Sequence, residues 1–241
     1  MVKKTAYSPD TSIAVIIPAA GFGTRMGKTV AKQFIEVGGK TILAHTVDKI
    51  QAWAATYSHQ IAVMVALSEG AVLPDEITGV HTCVGGKTRA DSVANALQAI
   101  GELGNFTWAM VHDAARPLVS VDDIETLYQK LKDDAVGGIL AKKVAATVKR
   151  AEGWRITKTI ARDNLWLAQT PQLFRFDLLQ QSLSGQRTHL TDEASGIEAM
   201  GLQPKIISGG RENLKITTPE DLAYFEQLYL QSQQGGVSGD G

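Results

Sequence analysis

The segment that most restricts the fold is a run of five apolar residues, Ile13-Ala14-Val15-Ile16-Ile17, which ends at Pro18 and opens into Ala19-Ala20-Gly21-Phe22-Gly23. The run is short, rich in β-branched residues and free of polar ones. A half-exposed strand would alternate apolar with polar, so this pattern predicts a strand covered on both faces of a parallel sheet. Pro18 has no N–H to donate, and the ladder is expected to end there. The small residues beyond it let backbone lie directly against a ligand, and the cations Arg25, Lys28 and Lys32 follow. A buried strand that opens into such a loop is a phosphate cradle in outline, with N–H groups facing the anion and fixed positive charge neutralising it.

Two familiar phosphate loops do not fit. The dinucleotide fingerprint needs G-x-G-x-x-G, whereas Gly21, Gly23 and Gly27 are spaced G-x-G-x-x-x-G. Gly27-Lys28-Thr29 could end a Walker loop, but Phe22 occupies the place of its first glycine. A dinucleotide-dependent dehydrogenase is excluded on the same spacing. Taken alone, the loop reads as a glycine-rich turn, and its function has to be decided by the rest of the chain.

Downstream, strands are predicted at Ile61 to Leu67, Val80 to Val84 and Trp108 to Val111. Helices alternate with them. Thr41 can cap one that buries Ile42, Leu43, Val47, Ile50 and Trp53; a second carries Val93, Ala96, Leu97 and Ile100 on one face. Ser120 with Asp123 has capping-box spacing ahead of Ile124, Leu127 and Leu131. The alternation predicts an α/β fold: a Rossmann-like, mostly parallel sheet with helices on both faces and ligand loops at the carboxyl ends of its strands.

The rhythm changes after a strand at residues 137–144. Residues 145–160 read as a hairpin turning at Glu152-Gly153, the tip of an arm covering about 141–163. A two-stranded ribbon is marginal alone, so the arm is expected to lie on a partner subunit. Residues 165–174 return to the sheet. A short helix at 192–200, strands at 205–208 and 213–217, and a helix from Thr218-Pro219 to about Leu230 complete one domain, 12–231. The tail, 232–241, has nothing to bury and is expected to be disordered.

A net charge of −1 gives no bulk attraction to nucleic acid or membrane. Cys83 is the single cysteine, so no intramolecular disulfide can form; it reads as a small buried hydrophobe in a reducing, cytoplasmic protein. No stretch reaches the length of a membrane span.

Four clusters then need one explanation: the first loop; Gly86, Arg89 and Ser92; Asp113 and Arg116; and Arg162 with Lys215. One at a time, Arg89, Arg162 and Lys215 read as solvated cations, Asp113 is open between an N-cap and a site residue, and His112 reads as structural. Jointly they form a pattern. Pro18 to Met26 with Lys32 resembles the signature of activated-sugar nucleotidyltransferases. With Gly85 to Ser92, His112 to Pro117, Thr170-Pro171-Gln172 and Thr191 to Ser195, the chain resembles the 2-C-methyl-D-erythritol 4-phosphate cytidylyltransferase family of the non-mevalonate isoprenoid pathway, over roughly residues 13–230.

That resemblance implies transfer of cytidylyl from CTP, with Mg²⁺, to 2-C-methyl-D-erythritol 4-phosphate; another polyol phosphate such as ribitol 5-phosphate is the alternative acceptor. It implies that Arg25 and Lys32 stabilise charge at the α-phosphorus. Backbone N–H groups around Pro18, Ala19, Ala20, Gly21, Phe22 and Gly23 would hold the triphosphate. Gly86 and Ser92, with Arg89, would line the cytosine side, and Asp113, Ala114 and Arg116 the sugar side. Arg162 and Lys215 would grip the acceptor phosphate, with hydroxyls from Thr147, Thr170 and Thr191. It also implies a homodimer with exchanged arms, so that Thr147 and Arg162 complete the neighbour's site. The chain departs from the family in its arm. Lys143-Val144-Ala145-Ala146-Thr147-Val148-Lys149 replaces a Pro-Val-x-Asp-Thr-x-Lys pattern, and Ala161 replaces an Asp before Arg162. Lys87 stands where an acid is common.

Overall fold

A computed structural model describes residues 12–21, 31–57, 60–185 and 189–235. The predicted first strand is β1, Ile13–Pro18. A small hairpin of β2, Glu36–Val37, and β3, Lys40–Thr41, leads into helix α1, Ile42–Ala54. Then follow β4, Ile61–Leu67; β5, His81–Val84; α2, Arg89–Gly101; β6, Trp108–Val111; α3, Val121–Leu131; and β7, Gly137–Lys143. The arm is β8, Val148–Glu152, and β9, Arg155–Ile160. The chain closes with β10, Trp166–Arg175; α4, Phe176–Ser182; α5, Glu193–Ala199; β11, Lys205–Ser208; and α6, Pro219–Gly235.

Seven strands form the main sheet in the order β11-β7-β10-β6-β1-β4-β5. β1 runs parallel to both neighbours, pairing Ile13 with Ile61 on one side and with Trp108 on the other. Only β10 runs against its neighbours, between β6 and β7, and its ladder to β7 shifts register between Ala168 and Gln172. The fold is the Rossmann-like mixed sheet that the sequence predicts.

Alternate residues of β1 serve different cores. Ile13, Val15 and Ile17 pack with Leu43, Val47 and Trp53 of α1 and with Ile124 and Leu127 of α3. Ala14 and Ile16 face the other way, into Val93, Leu97 and Ile100 of α2 and into Phe174 and Ile197. The first strand reads as continuously apolar because helices cover both of its faces. Each fully buried isoleucine is worth about 2 kcal/mol over an exposed one. The helix starts agree with the sequence: the Thr41 and Ser120 hydroxyls accept from Ala44 N–H and Asp123 N–H. The Asp123 carboxylate instead accepts from Gly210 N–H, tying the loop after β11 to α3.

Some expectations are corrected. The ladder does not stop at Pro18, because Ala19 N–H donates to Ala66 O at 2.8 Å. Residues 213–217 are not a strand. They are pinned outside the sheet by the N–H of Ile216 on Ala115 O and by the side chain of Ile216, fully buried against α6. α6 continues to Gly235, past the expected end at Leu230 and into the stretch read as a disordered tail. Cys83 is only half-buried, because β5 is the edge of the sheet, and that burial raises its thiol.

Among the described residues β8 and β9 pair only with each other, and nearly every residue of theirs is exposed, with Trp154 and Ile156 bare at the far end. Gly153 takes φ +56° at the turn, a left-handed conformation that glycine adopts without Cβ strain. No helix among the described residues is long and apolar enough to cross a membrane.

Candidate active site

At the carboxyl ends of β1, β5 and β6 lies a cavity of about 460 Å³. Its floor is Pro18, Ala19, Ala20 and Gly21; one wall is Gly86, Lys87, Arg89 and Ser92; the other is Asp113, Ala114 and Lys215, with Lys32 at the rim. A second cavity of about 270 Å³ is lined by Arg116, Gln169, Thr170 and Thr191. Arg89, Asp113 and Lys215 line both. Residues up to 199 positions apart (18 to 217) thus meet where the strand order reverses around β1, the usual place for a ligand in an open α/β sheet.

Local chemistry shapes each wall. Thr88 caps α2 in a reciprocal capping box with Asp91. The Ser92 hydroxyl accepts from Gly86 N–H at 3.0 Å and donates to Thr88 O at 2.9 Å, which closes the loop between β5 and α2. A Cβ on Gly85 would stand 2.5 Å from the Cβ of Ala20, so glycine lets the two loops touch. Gln33, buried, donates to the carbonyls of Ala19 at 2.6 Å and Gly21 at 2.9 Å and sets the curve of the first loop. Lys32 Nζ donates to Ile216 O at 2.8 Å.

Asp113 is the electrostatic centre. It is 6% exposed, and its Oδ1 accepts from Arg89 Nε while Lys215 Nζ lies 2.8 Å from its Oδ2. Arg116 Nε approaches Oδ2 at 3.6 Å and makes no hydrogen bond among the described residues. Burial alone would raise the carboxyl pKa, but Arg89, Lys215 and Arg116 outweigh it and hold Asp113 far below the usual carboxylate range. Arg89 also makes a two-pronged bond to Glu193 at 2.6 and 2.9 Å.

His112 is fully buried and structural, as expected. Burial lowers its pKa to about 4. Its Nε2 faces Arg116 O at 3.1 Å, and a carbonyl can only accept, so Nε2 carries the proton. Nδ1 therefore accepts from the Thr170 hydroxyl at 3.1 Å, and that oxygen accepts from Asp113 N–H at 3.0 Å.

The structure brings together Pro18, Ala19, Ala20, Gly21, Lys32, Gly86, Arg89, Ser92, Asp113, Ala114 and Lys215 in one cavity and Arg116, Thr170 and Thr191 in the next. Phe22, Gly23 and Arg25 lie outside the described residues. Three expectations change. Ala19 N–H is engaged by Ala66 and is not free for a phosphate. The hydroxyl proton of Thr170 is engaged by His112 and is not free for a substrate. Arg89 is no solvated cation, since two carboxylates hold it. Thr147 and Arg162 line neither cavity of their own chain; Arg162 bonds across the base of the arm to Ala145 O. Sequence reasoning gave no role to Gln33, Gln169 or Glu193. Only Glu193 left a signal, as an unassigned acid within the Thr191 to Ser195 motif.

A family model described as 2-C-methyl-D-erythritol 4-phosphate cytidylyltransferase matches residues 13–232. A protein of that name from Pseudoalteromonas translucida is 44% identical over 231 residues, covering 92% of this chain and 92% of its own. The one from Haemophilus ducreyi is 44% identical over 236 residues, covering 92% and 98%. The crystal structure of the Francisella tularensis enzyme of the same name superposes with a TM-score of 0.76 at 39% identity, over 90% of this chain and 99% of that one. A 4-diphosphocytidyl-2C-methyl-D-erythritol synthase structure gives 0.80 at 35% identity, over 92% and 100%. Both cavities are built wholly from residues inside the matched span. With the sheet, the small-residue loop and the paired cavities all accounted for by that match, the chain belongs to the 2-C-methyl-D-erythritol 4-phosphate cytidylyltransferase family.

Proposed function

We propose that the chain transfers the cytidylyl group of CTP to 2-C-methyl-D-erythritol 4-phosphate, releasing pyrophosphate and giving 4-diphosphocytidyl-2-C-methyl-D-erythritol for isoprenoid synthesis. The observation that carries this reading is the pair of adjoining cavities that share a wall of Arg89, Asp113 and Lys215, one floored by the small-residue loop. A donor triphosphate and an acceptor phosphate need such neighbouring sites with cations between them.

In the transfer, an oxygen of the acceptor phosphate forms a bond to the α-phosphorus of CTP. The bond from that phosphorus to the α–β bridging oxygen breaks, and its electron pair leaves with pyrophosphate. The nucleophile is already an anion, so no base has to remove a proton. The protein's task is to hold two anions in line and to neutralise charge as it builds. Lys32 and Arg25 would serve the triphosphate side. The cytosine would sit against Ala20, Gly86 and Ser92, with ribose toward Asp113 and Ala114. Lys215 and Arg116 would meet the acceptor, with Thr191 beside them and Thr147 and Arg162 supplied by the arm of a second subunit.

Magnesium would enter with CTP. Among the described residues no three His, Cys, Asp or Glu side chains could cage an ion, and Asp113 and Glu193 are already held by cations. The ion would be held by the nucleotide's phosphates and would supply positive charge to the triphosphate.

The test is pyrophosphate release by the purified chain with Mg²⁺ and CTP against a panel of polyol phosphates. 2-C-methyl-D-erythritol 4-phosphate should give the highest kcat/KM. A preference for ribitol 5-phosphate would overturn the acceptor assignment, and comparable turnover of UTP would overturn the cytosine pocket.

A further inference from the structure

We propose that Glu193 is a positioning residue for the acceptor phosphate: through Arg89 it fixes which oxygen of Asp113 meets Lys215. The proposal rests on the assignment of Lys215 to that phosphate.

The contacts form a relay. A guanidinium is planar, with its donors in a fixed fork. Glu193 accepts from both terminal nitrogens of Arg89, through Oε1 at 2.6 Å and Oε2 at 2.9 Å, which sets the plane and direction of the group. The remaining edge donor, Nε–H, then meets Asp113 Oδ1 at 2.8 Å. With Oδ1 turned to Arg89, Oδ2 faces Lys215 at 2.8 Å and Arg116 at 3.6 Å. Four parts of the chain are joined in this way: the first turn of α5, the first turn of α2, the loop after β6, and the segment before α6.

Burial and charge both give Glu193 a role beyond filling space. It is 2% exposed and lines neither cavity, whereas its partner Arg89 lines both. A carboxylate so deeply buried persists only when paired. Three cations, Arg89, Arg116 and Lys215, face Asp113 and Glu193, and Asp192 also lines the second cavity, so how the carboxylates are directed decides which cation is presented to an incoming anion. Without the Glu193 carboxylate, the strongest remaining acceptor for the Arg89 fork is Asp113. A two-pronged Arg89–Asp113 pair would turn the carboxylate into the plane of the guanidinium and move Oδ2 away from Lys215.

The experiment compares wild type, Glu193→Gln and the double variant Arg89→Gln/Glu193→Gln. For each, KM for CTP, KM for the acceptor, Tm and the Kd for inorganic phosphate without nucleotide are measured. Glu193→Gln should raise the acceptor KM and the phosphate Kd about tenfold, the loss expected for a misplaced charge-assisted contact, with the KM for CTP changing less than about twofold. The double variant removes both charges of the pair and lets two amides satisfy each other. It should recover Tm yet keep the raised acceptor KM and phosphate Kd, because nothing then holds Asp113 Oδ1. A double variant that recovers Tm and acceptor KM together would make the pair merely structural and overturn the proposal, as would equal rises in both KM values. Phosphate affinity does not depend on which polyol is the substrate. A wild type that binds phosphate but does not turn over the methylerythritol substrate refutes the function above, while the phosphate Kd values still judge the relay.

Discussion

Lys32 reaches 184 residues along the chain to donate to the carbonyl oxygen of Ile216 at 2.8 Å. Ile216 is itself held by Ala115 O and is fully buried, so the ammonium is anchored to a rigid strip of backbone. The residue before Ile216 is Lys215, on Asp113. One short segment therefore sets the spacing between a lysine assigned to the donor phosphates and another assigned to the acceptor.

Lys32→Ala should lower kcat about a hundredfold while changing the KM for CTP far less, because a charge-assisted contact that strengthens in the transition state is lost. Steady-state kinetics under saturating acceptor measure the split. An unchanged kcat would make Lys32 an anchor of Ile216 only.

Gly85→Ala places a Cβ 2.5 Å from Ala20 Cβ and 2.9 Å from Ser92 Oγ. The two loops must separate, at a cost of about 1–3 kcal/mol by overpacking. Tm should fall and the KM for CTP should rise together, since the displaced atoms line the cavity assigned to the nucleotide. Thermal melts with and without CTP give both readings.

Mixing Lys32→Ala protein with Arg162→Ala protein tests the exchanged arm. If Arg162 serves the neighbouring site, a mixed dimer has one site with both defects and one intact. With free subunit exchange about half the dimers are mixed, so activity should return to roughly one quarter of wild type. No return, with subunit exchange demonstrated, places both residues in one subunit's site.

Acid should unfold the protein partly through His112. Its folded pKa of about 4 lies below the ordinary value of about 6.5, so between these pH values the unfolded chain binds a proton that the folded one refuses. Stability is present above pH 6.5 and declines as pH falls toward 4, by about 3 kcal/mol over the window. Asp113, held down by its cations, adds its own loss only below the ordinary carboxylate pKa. Denaturant melts from pH 7 to 4.5 should show a shallower decline for His112→Asn than for wild type.

Elements governed by neighbouring residues were legible in the sequence. Ile13 to Ile17 announced a doubly covered strand, Thr41 and Ser120 announced their helices, and Glu152-Gly153 announced the turn of the arm. Contacts governed by distant residues were not. Nothing in the order of residues ties Arg89 to Glu193, 104 positions away, or commits the Thr170 hydroxyl to His112. The segment at 213–217 has a strand's composition, but Ile216 bonds to Ala115 O in the loop after β6 and accepts from Lys32, so it lies outside the sheet as a strap. Ala19 looked free because Pro18 cannot donate, yet the next N–H resumes the ladder.

The antiparallel course of β10 between β6 and β7 has a consequence for how such an enzyme can diverge. The loops at the ends of β1 and β5, with α2, shape the cavity assigned to the nucleotide; β10, the turn before α5 and the strap before α6 shape the other. Among the described residues the two cavities share Arg89, Asp113 and Lys215, and the strap also reaches the first cavity through Thr217. Residues on the β10 side can therefore change to admit a different phosphorylated alcohol while the nucleotide half stays intact. A lineage, or an engineer, can edit one substrate at a time.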